Sequence, residues 1–340
     1  MMTSGTTEPR EGLVVRSDRG FAFVAIEGEG VILARSAVSL LKGADDGGMP
    51  VVGDHVVIGG DADEPLVTEV LPRRTAIVRR DPGRVTRVQV LAANVDIVFI
   101  THPLAEAPNL ARIERELALV WDSGAQPVVV LTKSDLCDDP EAALLEVEAI
   151  APGVQVHLTS ALLGDGLETI EGYLDADRTI VFLGPSGSGK STLINALAGE
   201  DIQETKEVRV SDGRGRHTTV SRELLHLPSG GVVIDTPGLR AVGMWDSGQG
   251  LDAAFADIAE LAEGCRFRDC KHDGEPGCAV EAAVAAGTLA ERRLLSYREL
   301  QAEVRHIEGE LDARARLDKK RQDKQLARDI KRYFKEGHKG

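Results

Sequence analysis

Aromatic side chains are scarce: Phe, Tyr and Trp together supply 4% of the 340 residues. A surface that holds single-stranded nucleic acid by stacking needs many such rings, so that mode is disfavoured as the main activity. No run of eighteen apolar residues occurs, and the opening MMTSGTTEPR has no apolar signal core. This points to a cytoplasmic protein with a short disordered leader over residues 1–10 and no membrane partner. Basic charge is also short, with 40 Lys and Arg against 55 Asp and Glu and a net charge of -15. The deficit is uneven: from residue 314 to the end there are 11 basic and 4 acidic residues, which leaves -22 on the rest. An acidic body repels nucleic acid, whereas the basic tail can dock on a phosphate backbone or simply form a solvated helix. Cysteine is rare, yet Cys265, Cys270 and Cys278 crowd into fourteen of the 340 residues. A secreted disulfide framework would spread its cysteines, so this cluster beside His272 points to a metal instead.

A chain of this length favours two or three domains. Residues 11–78 carry short alternating runs separated by Gly, Asp and Pro clusters, as a small OB-like β-barrel would. From about residue 84 to 244, unbroken Val and Ile runs alternate with helical stretches, the pattern of a parallel sheet covered on both faces. Residues 245–340 read as helices around the cysteine cluster, ending in the basic tail. The predicted fold is thus multidomain α/β: barrel, nucleotide-binding domain and helical metal-binding domain.

The stretch Gly184-Pro185-Ser186-Gly187-Ser188-Gly189-Lys190-Ser191, followed by Thr192, fits G-x-x-x-x-G-K-[ST] between a predicted strand and a helix. Its glycines let backbone amides face phosphates, Lys190 can reach the β- and γ-phosphates, and the Ser191 hydroxyl can ligate Mg²⁺. In VVIDTPG, Asp235 ends a strand where it can hold Mg²⁺ through water, and the Gly238 N–H can sense the γ-phosphate. Upstream, Thr132-Lys133-Ser134-Asp135 also ends an apolar strand. The Asp135 carboxylate can accept from both guanine N1–H and the N2 amine, a pair adenine does not offer. The Lys133 stem can lie along the base, and Thr159-Ser160-Ala161 would close the pocket.

The order of these motifs, with GRGRHTT before DTPG and a Cys/His cluster after it, resembles the circularly permuted GTPases. More narrowly it resembles the ribosome small subunit-dependent GTPase A family, across nearly the whole chain. The resemblance implies a GTP phosphohydrolase that uses Mg²⁺, with a structural Zn²⁺ on Cys265, Cys270, His272 and Cys278. It also implies a small ribosomal subunit (16S rRNA and proteins) as partner during late maturation. A monomer with no DNA partner is expected. One departure is visible: Thr132 stands where GTPases usually have Asn, and a hydroxyl replaces only part of an amide's bonding. Because the order is permuted, the segment after Gly238 leads straight into the cysteine-bearing helices.

The polar loop SDGRGRHTT reads as the first switch. Thr219, in preference to Thr218, would meet Mg²⁺ and the γ-phosphate, and Arg214 and Arg216 can contact phosphates of nucleotide or RNA. Leu239 occupies the place of the water-orienting glutamine and can form no hydrogen bond, so turnover of the isolated protein should be slow. His217 can orient water or serve only the loop or RNA. Two other functions fit the sequence: an ATP-using P-loop enzyme, and an RNA-binding scaffold for which GTP is a structural ligand.

Overall fold

For the motifs to form one site, the strands that carry them must finish on one edge of a sheet. A computed structural model shows this arrangement; it describes residues 9–18, 20–42, 47–61, 63–81, 84–174, 178–201, 222–235 and 249–336. The central strands are β8 (Ile97–Pro103), β9 (Gln126–Thr132), β10 (Gln155–Thr159), β11 (Thr179–Leu183), β12 (Arg222–His226) and β13 (Val232–Asp235). Their spatial order is β10-β9-β8-β11-β13-β12. All neighbours pair in parallel except β12, which runs antiparallel to β13.

Both faces of this sheet are covered, which explains the unbroken apolar runs. On β8, Val98 and Ile100 join one core with Ile113 and Leu117, whereas Ile97 and Phe99 join another with Leu193, Ile194 and Leu197. The first partners lie on α2 (Leu110–Asp122) and the second on α5 (Lys190–Ala198). Each such side chain contributes roughly 1.5–3 kcal/mol when fully buried.

The N-terminal strands are β1 (Arg10–Asp18), β2 (Phe21–Ile26), β3 (Gly30–Ser36), β4 (His55–Asp61) and β5 (Glu64–Val70), with the short helix α1 (Val38–Lys42) between β3 and β4. They pair in the order β1-β2-β3-β5-β4, and β4 returns to β1, so the barrel is closed as expected. Alternate residues fill it, among them Val14, Val24, Ile58 and Val67. The last strand of this barrel ends at Val70. Ala76–Asp81, which the alternating pattern placed inside a barrel running to residue 78, instead forms β6 of a separate hairpin with β7 (Arg84–Ala93). Its alternation is the same because any half-covered strand shows a period of two. The barrel is stitched to the central sheet by β1, whose Arg16 and Ser17 pair antiparallel with Glu223 and Arg222 of β12.

The C-terminal part is helical: α6 (Gln249–Ala254), α7 (Ala256–Ala262), α8 (Ala279–Ala285) and the long α9 (Glu291–Glu336). The remaining helices, α3 (Pro140–Glu148) and α4 (Leu167–Glu171), flank β10. Arg293 fixes α9 to the nucleotide domain. Buried to 3% exposure, it donates through Nε and Nη2 to Asp257 (2.6 Å each) and through Nη2 to Ala254 O (3.0 Å). Its Nη1 donates to Glu114 on α2 and to Ile150 O, both at 3.0 Å. All five N–H donors are therefore used. Burial works against the charge, but the bonds to Asp257 and Glu114 outweigh it and hold the guanidinium protonated more firmly than usual.

Candidate functional site

The phosphate loop begins where β11 ends. Gly184 (φ +146°), Gly187 (φ +79°) and Gly189 (φ +86°) take backbone conformations that side chains resist. At Gly184 a Cβ would lie 2.2 Å from Thr101 O and 2.5 Å from Thr101 Oγ1, so no other residue fits beneath the loop. Pro185 precedes the exposed tip at Ser186 and Gly187, and Ser188 is fully buried below it. Gly189 caps α5, which places Lys190, Ser191 and Thr192 in its first turn, where unpaired amides favour an anion. Lys190 Nζ is folded onto its own loop, donating to Gly184 O (2.9 Å), Pro185 O (2.7 Å) and Ser188 Oγ (3.2 Å).

The base loop begins two strands away in space. Thr132 ends β9, and Lys133 takes a left-handed turn (φ 57°) that turns the chain sharply into Ser134 and Asp135. Ser160, just past β10, donates from Oγ to Asp135 Oδ1 at 2.5 Å and so aims that carboxylate. The two halves meet in one cavity of about 240 Å³. Its walls include Thr132, Lys133 and Asp135 from the base loop, Thr159 and Ala161 from the third segment, and Gly189 and Thr192 from the phosphate side. Asp235, the last residue of β13, lies one step beyond the Val181–Ile234 pair, at the same sheet edge.

Cys265, Cys270, His272 and Cys278 place one ligand atom each within 4.8 Å of one another. His272 Nδ1 is 3.6 Å from Cys265 Sγ and 3.4 Å from Cys278 Sγ, and those two sulfurs are 4.0 Å apart. Four ligands around tetrahedral zinc sit about 3.3–3.8 Å from one another, so this donor set, slightly wider than that, is compatible with the ion. Backbone amides support the sulfurs: Ala279 N–H donates to Cys265 and Glu281 N–H to Cys278. The loop is braced by Glu275, which accepts from the amides of Lys271 (3.0 Å) and Asp273 (2.6 Å). Burial pushes the His272 imidazole below its usual value, towards the neutral form that binds metal. None of the four cysteines forms a disulfide.

With this geometry established, similarity to known proteins decides the family. Residues 70–245 match the RsgA GTPase family. The chain belongs to that family. It is 50% identical over 310 residues to the small ribosomal subunit biogenesis GTPase RsgA of Streptomyces coelicolor, covering 90% of this chain and 84% of that one. Among solved structures, YjeQ from Thermotoga maritima superposes with a TM-score of 0.66 at 28% identity, covering 87% of this chain and 98% of the other. YloQ, described as a circularly permuted GTPase, gives 0.63 at 29% identity, with 90% and 98% covered. As an RsgA-family GTPase with a permuted P-loop domain, this protein is a GTP phosphohydrolase that uses GTP, GDP and Mg²⁺.

The expected switch residues Arg214, Arg216, His217, Thr218, Thr219, Gly238 and Leu239 lie outside the described residues. Several residues that no motif flagged do line the site. Leu162, at 80% exposure, and Leu136 add apolar walls to the base cavity. Leu162 directly follows Thr159-Ser160-Ala161, so its place was available from the sequence. Thr101 was not, because the pairing of β8 with β11 brings it against a phosphate-loop residue, Ser188, that lies 87 residues away.

Gly184 provides a direct check of the loop geometry. A side chain forced into its conformation costs about 1–3 kcal/mol, before the clash with Thr101 is counted. Gly184→Ala should therefore lower kcat/KM for GTP by at least about 5- to 150-fold while the circular dichroism spectrum stays unchanged. Steady-state phosphate release at wild-type rates would show that the loop tolerates the Cβ.

Proposed function

We propose that GTP binds with its base against Asp135 and its phosphates over residues 184–192, and that the bound nucleotide controls engagement with the small ribosomal subunit late in its maturation. The observation that carries this reading is the single cavity shared by Thr132, Lys133, Asp135, Ala161, Gly189 and Thr192. In this reading Asp135 selects guanine, Lys133 and Ala161 pack near it, and the amides that follow Gly184 and Gly189 face the phosphates. Lys190 leaves its three loop oxygens for the phosphate oxygens, exchanging neutral acceptors for charged ones. Mg²⁺ neutralises phosphate charge when bound, and Ser191, Asp235 and Thr219 would hold it. Thr219 and Gly238 would report the γ-phosphate, and His217 would orient the attacking water.

Three features support a ribosomal partner: the name borne by relatives up to 50% identical, the closed barrel, and the basic end of α9. We assign the protein to the cytoplasm, working as a monomer. Leu239 leaves the isolated chain slow, so the partner would complete the site. Adding purified small subunits should raise steady-state GTP hydrolysis by at least about tenfold, equivalent to about 1.4 kcal/mol off the activation barrier. A rate that stays flat across subunit concentrations overturns the partner assignment.

We also assign a structural Zn²⁺ to Cys265, Cys270, His272 and Cys278, because three thiols and an imidazole with ligand atoms within 4.8 Å of one another make up a four-ligand set of the kind that closes a structural zinc site. The purified chain should hold about one equivalent of zinc by elemental analysis. Cys278→Ser should lose the metal and lower the melting temperature. A metal-free protein whose melting is insensitive to chelator contradicts the assignment.

A further inference from the structure

Thr101 lies near the carboxyl end of β8, the strand between the phosphate-loop strand β11 and the base-loop strand β9. Its side chain and that of Ser188 are both fully buried. A threonine hydroxyl carries one proton. Thr101 Oγ1 donates it to Leu183 O at 2.9 Å, so in its 2.8 Å contact with Ser188 Oγ the serine must be the donor. Ser188 then has only lone pairs left, and Lys190 Nζ donates to them at 3.2 Å. The result is a one-way chain from Lys190 through Ser188 and Thr101 to Leu183 O. Reversing any link would leave Leu183 O or Lys190 facing the wrong partner.

The same serine is tied from the opposite side. Thr132 Oγ1 donates to Ser188 O at 2.6 Å, and the next acceptor, His102 O, is 3.4 Å away. An asparagine at 132 would bring two N–H donors, whereas Thr132 has a single proton and uses it on Ser188 O. The phosphate loop therefore has one tie from the base loop and needs a second from elsewhere. The Thr101 hydroxyl is in contact with the loop at both Ser188 and the space under Gly184.

We propose that Thr101 is a positioning residue for GTP: with Thr132 it fixes Ser188, and through Ser188 it sets where Lys190 starts its move to the phosphates. The proposal rests on the reading of residues 184–192 as the GTP phosphate site. A threonine that merely satisfied Leu183 O would matter for folding and not for nucleotide.

The test uses the full chain and the variants Thr101→Val, Thr101→Ser, Ser188→Ala and the double Thr101→Val/Ser188→Ala. It measures Kd for a fluorescent GDP, KM and kcat for GTP, and the melting temperature without nucleotide. Thr101→Val and Ser188→Ala should each weaken GDP binding and raise KM about 3- to 10-fold, the effect of one neutral hydrogen bond. Over the same variants kcat should stay within about twofold, and Thr101→Ser should restore affinity to within about twofold. Because both residues act in one chain, the double variant should bind no worse than the weaker single one. Unchanged GDP affinity in Thr101→Val with a lowered melting temperature overturns the proposal, as do losses that multiply in the double variant. Should Thr101→Val fail to fold, an unaltered GDP affinity in Ser188→Ala overturns it alone. Failure of the wild-type chain to bind GDP would instead sink the GTP-site reading and this inference with it.

Discussion

Everything at the nucleotide site depends on the parallel pairing of β10, β9, β8, β11 and β13. Parallel neighbours must finish on the same edge, so each strand's carboxyl end delivers its following loop to one place. Chain order does not enter this requirement. The base loop precedes the phosphate loop by about fifty residues, yet Asp135 and Gly189 line the same cavity. Permutation is tolerated because the interactions that build the site are between strands, and each strand is short enough to be fixed by its buried faces.

What the reversed order does change is the connection of the nucleotide domain to its neighbours. The strand β12 borders the barrel through its pairing with β1. The segment after Asp235 leads to α6, whose Gly250 packs directly on Ala118 and Asp122 of α2. There α2 carries two buried acids facing different ways. Glu114 meets Arg293 of α9, and Glu116 accepts from His102 at 2.7 Å beside the base loop. Removing one partner from the buried Glu114–Arg293 pair costs about 3–5 kcal/mol, so α2 ties the central sheet to the C-terminal helices.

The fold and the chemistry differed in how far the sequence alone revealed them. The phosphate loop, Asp135 and the Cys/His cluster are local patterns, and each requires a residue type that its chemistry cannot replace. Parallel strands announced themselves through two-sided burial, as in the run Ile97 to Ile100. The barrel's limit at Val70 was hidden because β6 alternates like a barrel strand while pairing elsewhere. Thr101 and Arg293 were hidden for a different reason. Their partners lie 87 and 179 residues away, at Ser188 and Glu114, and an ordinary threonine in a strand or arginine in a helix carries no trace of that.

The central claim is that a base loop and a phosphate loop in reversed order make one guanine site, with Asp135 choosing the base. Equilibrium competition against labelled GDP by ATP, GTP and xanthosine triphosphate, on wild-type protein and on Asp135→Asn, tests it most directly. The wild-type chain should be displaced by GTP and not by ATP. Asp135→Asn replaces an acceptor with a donor, so the variant should lose GTP and gain xanthosine triphosphate, which carries oxygen in place of the 2-amino group. Equal displacement of the wild-type chain by ATP and GTP, or an Asp135→Asn variant that still prefers GTP, would contradict the account.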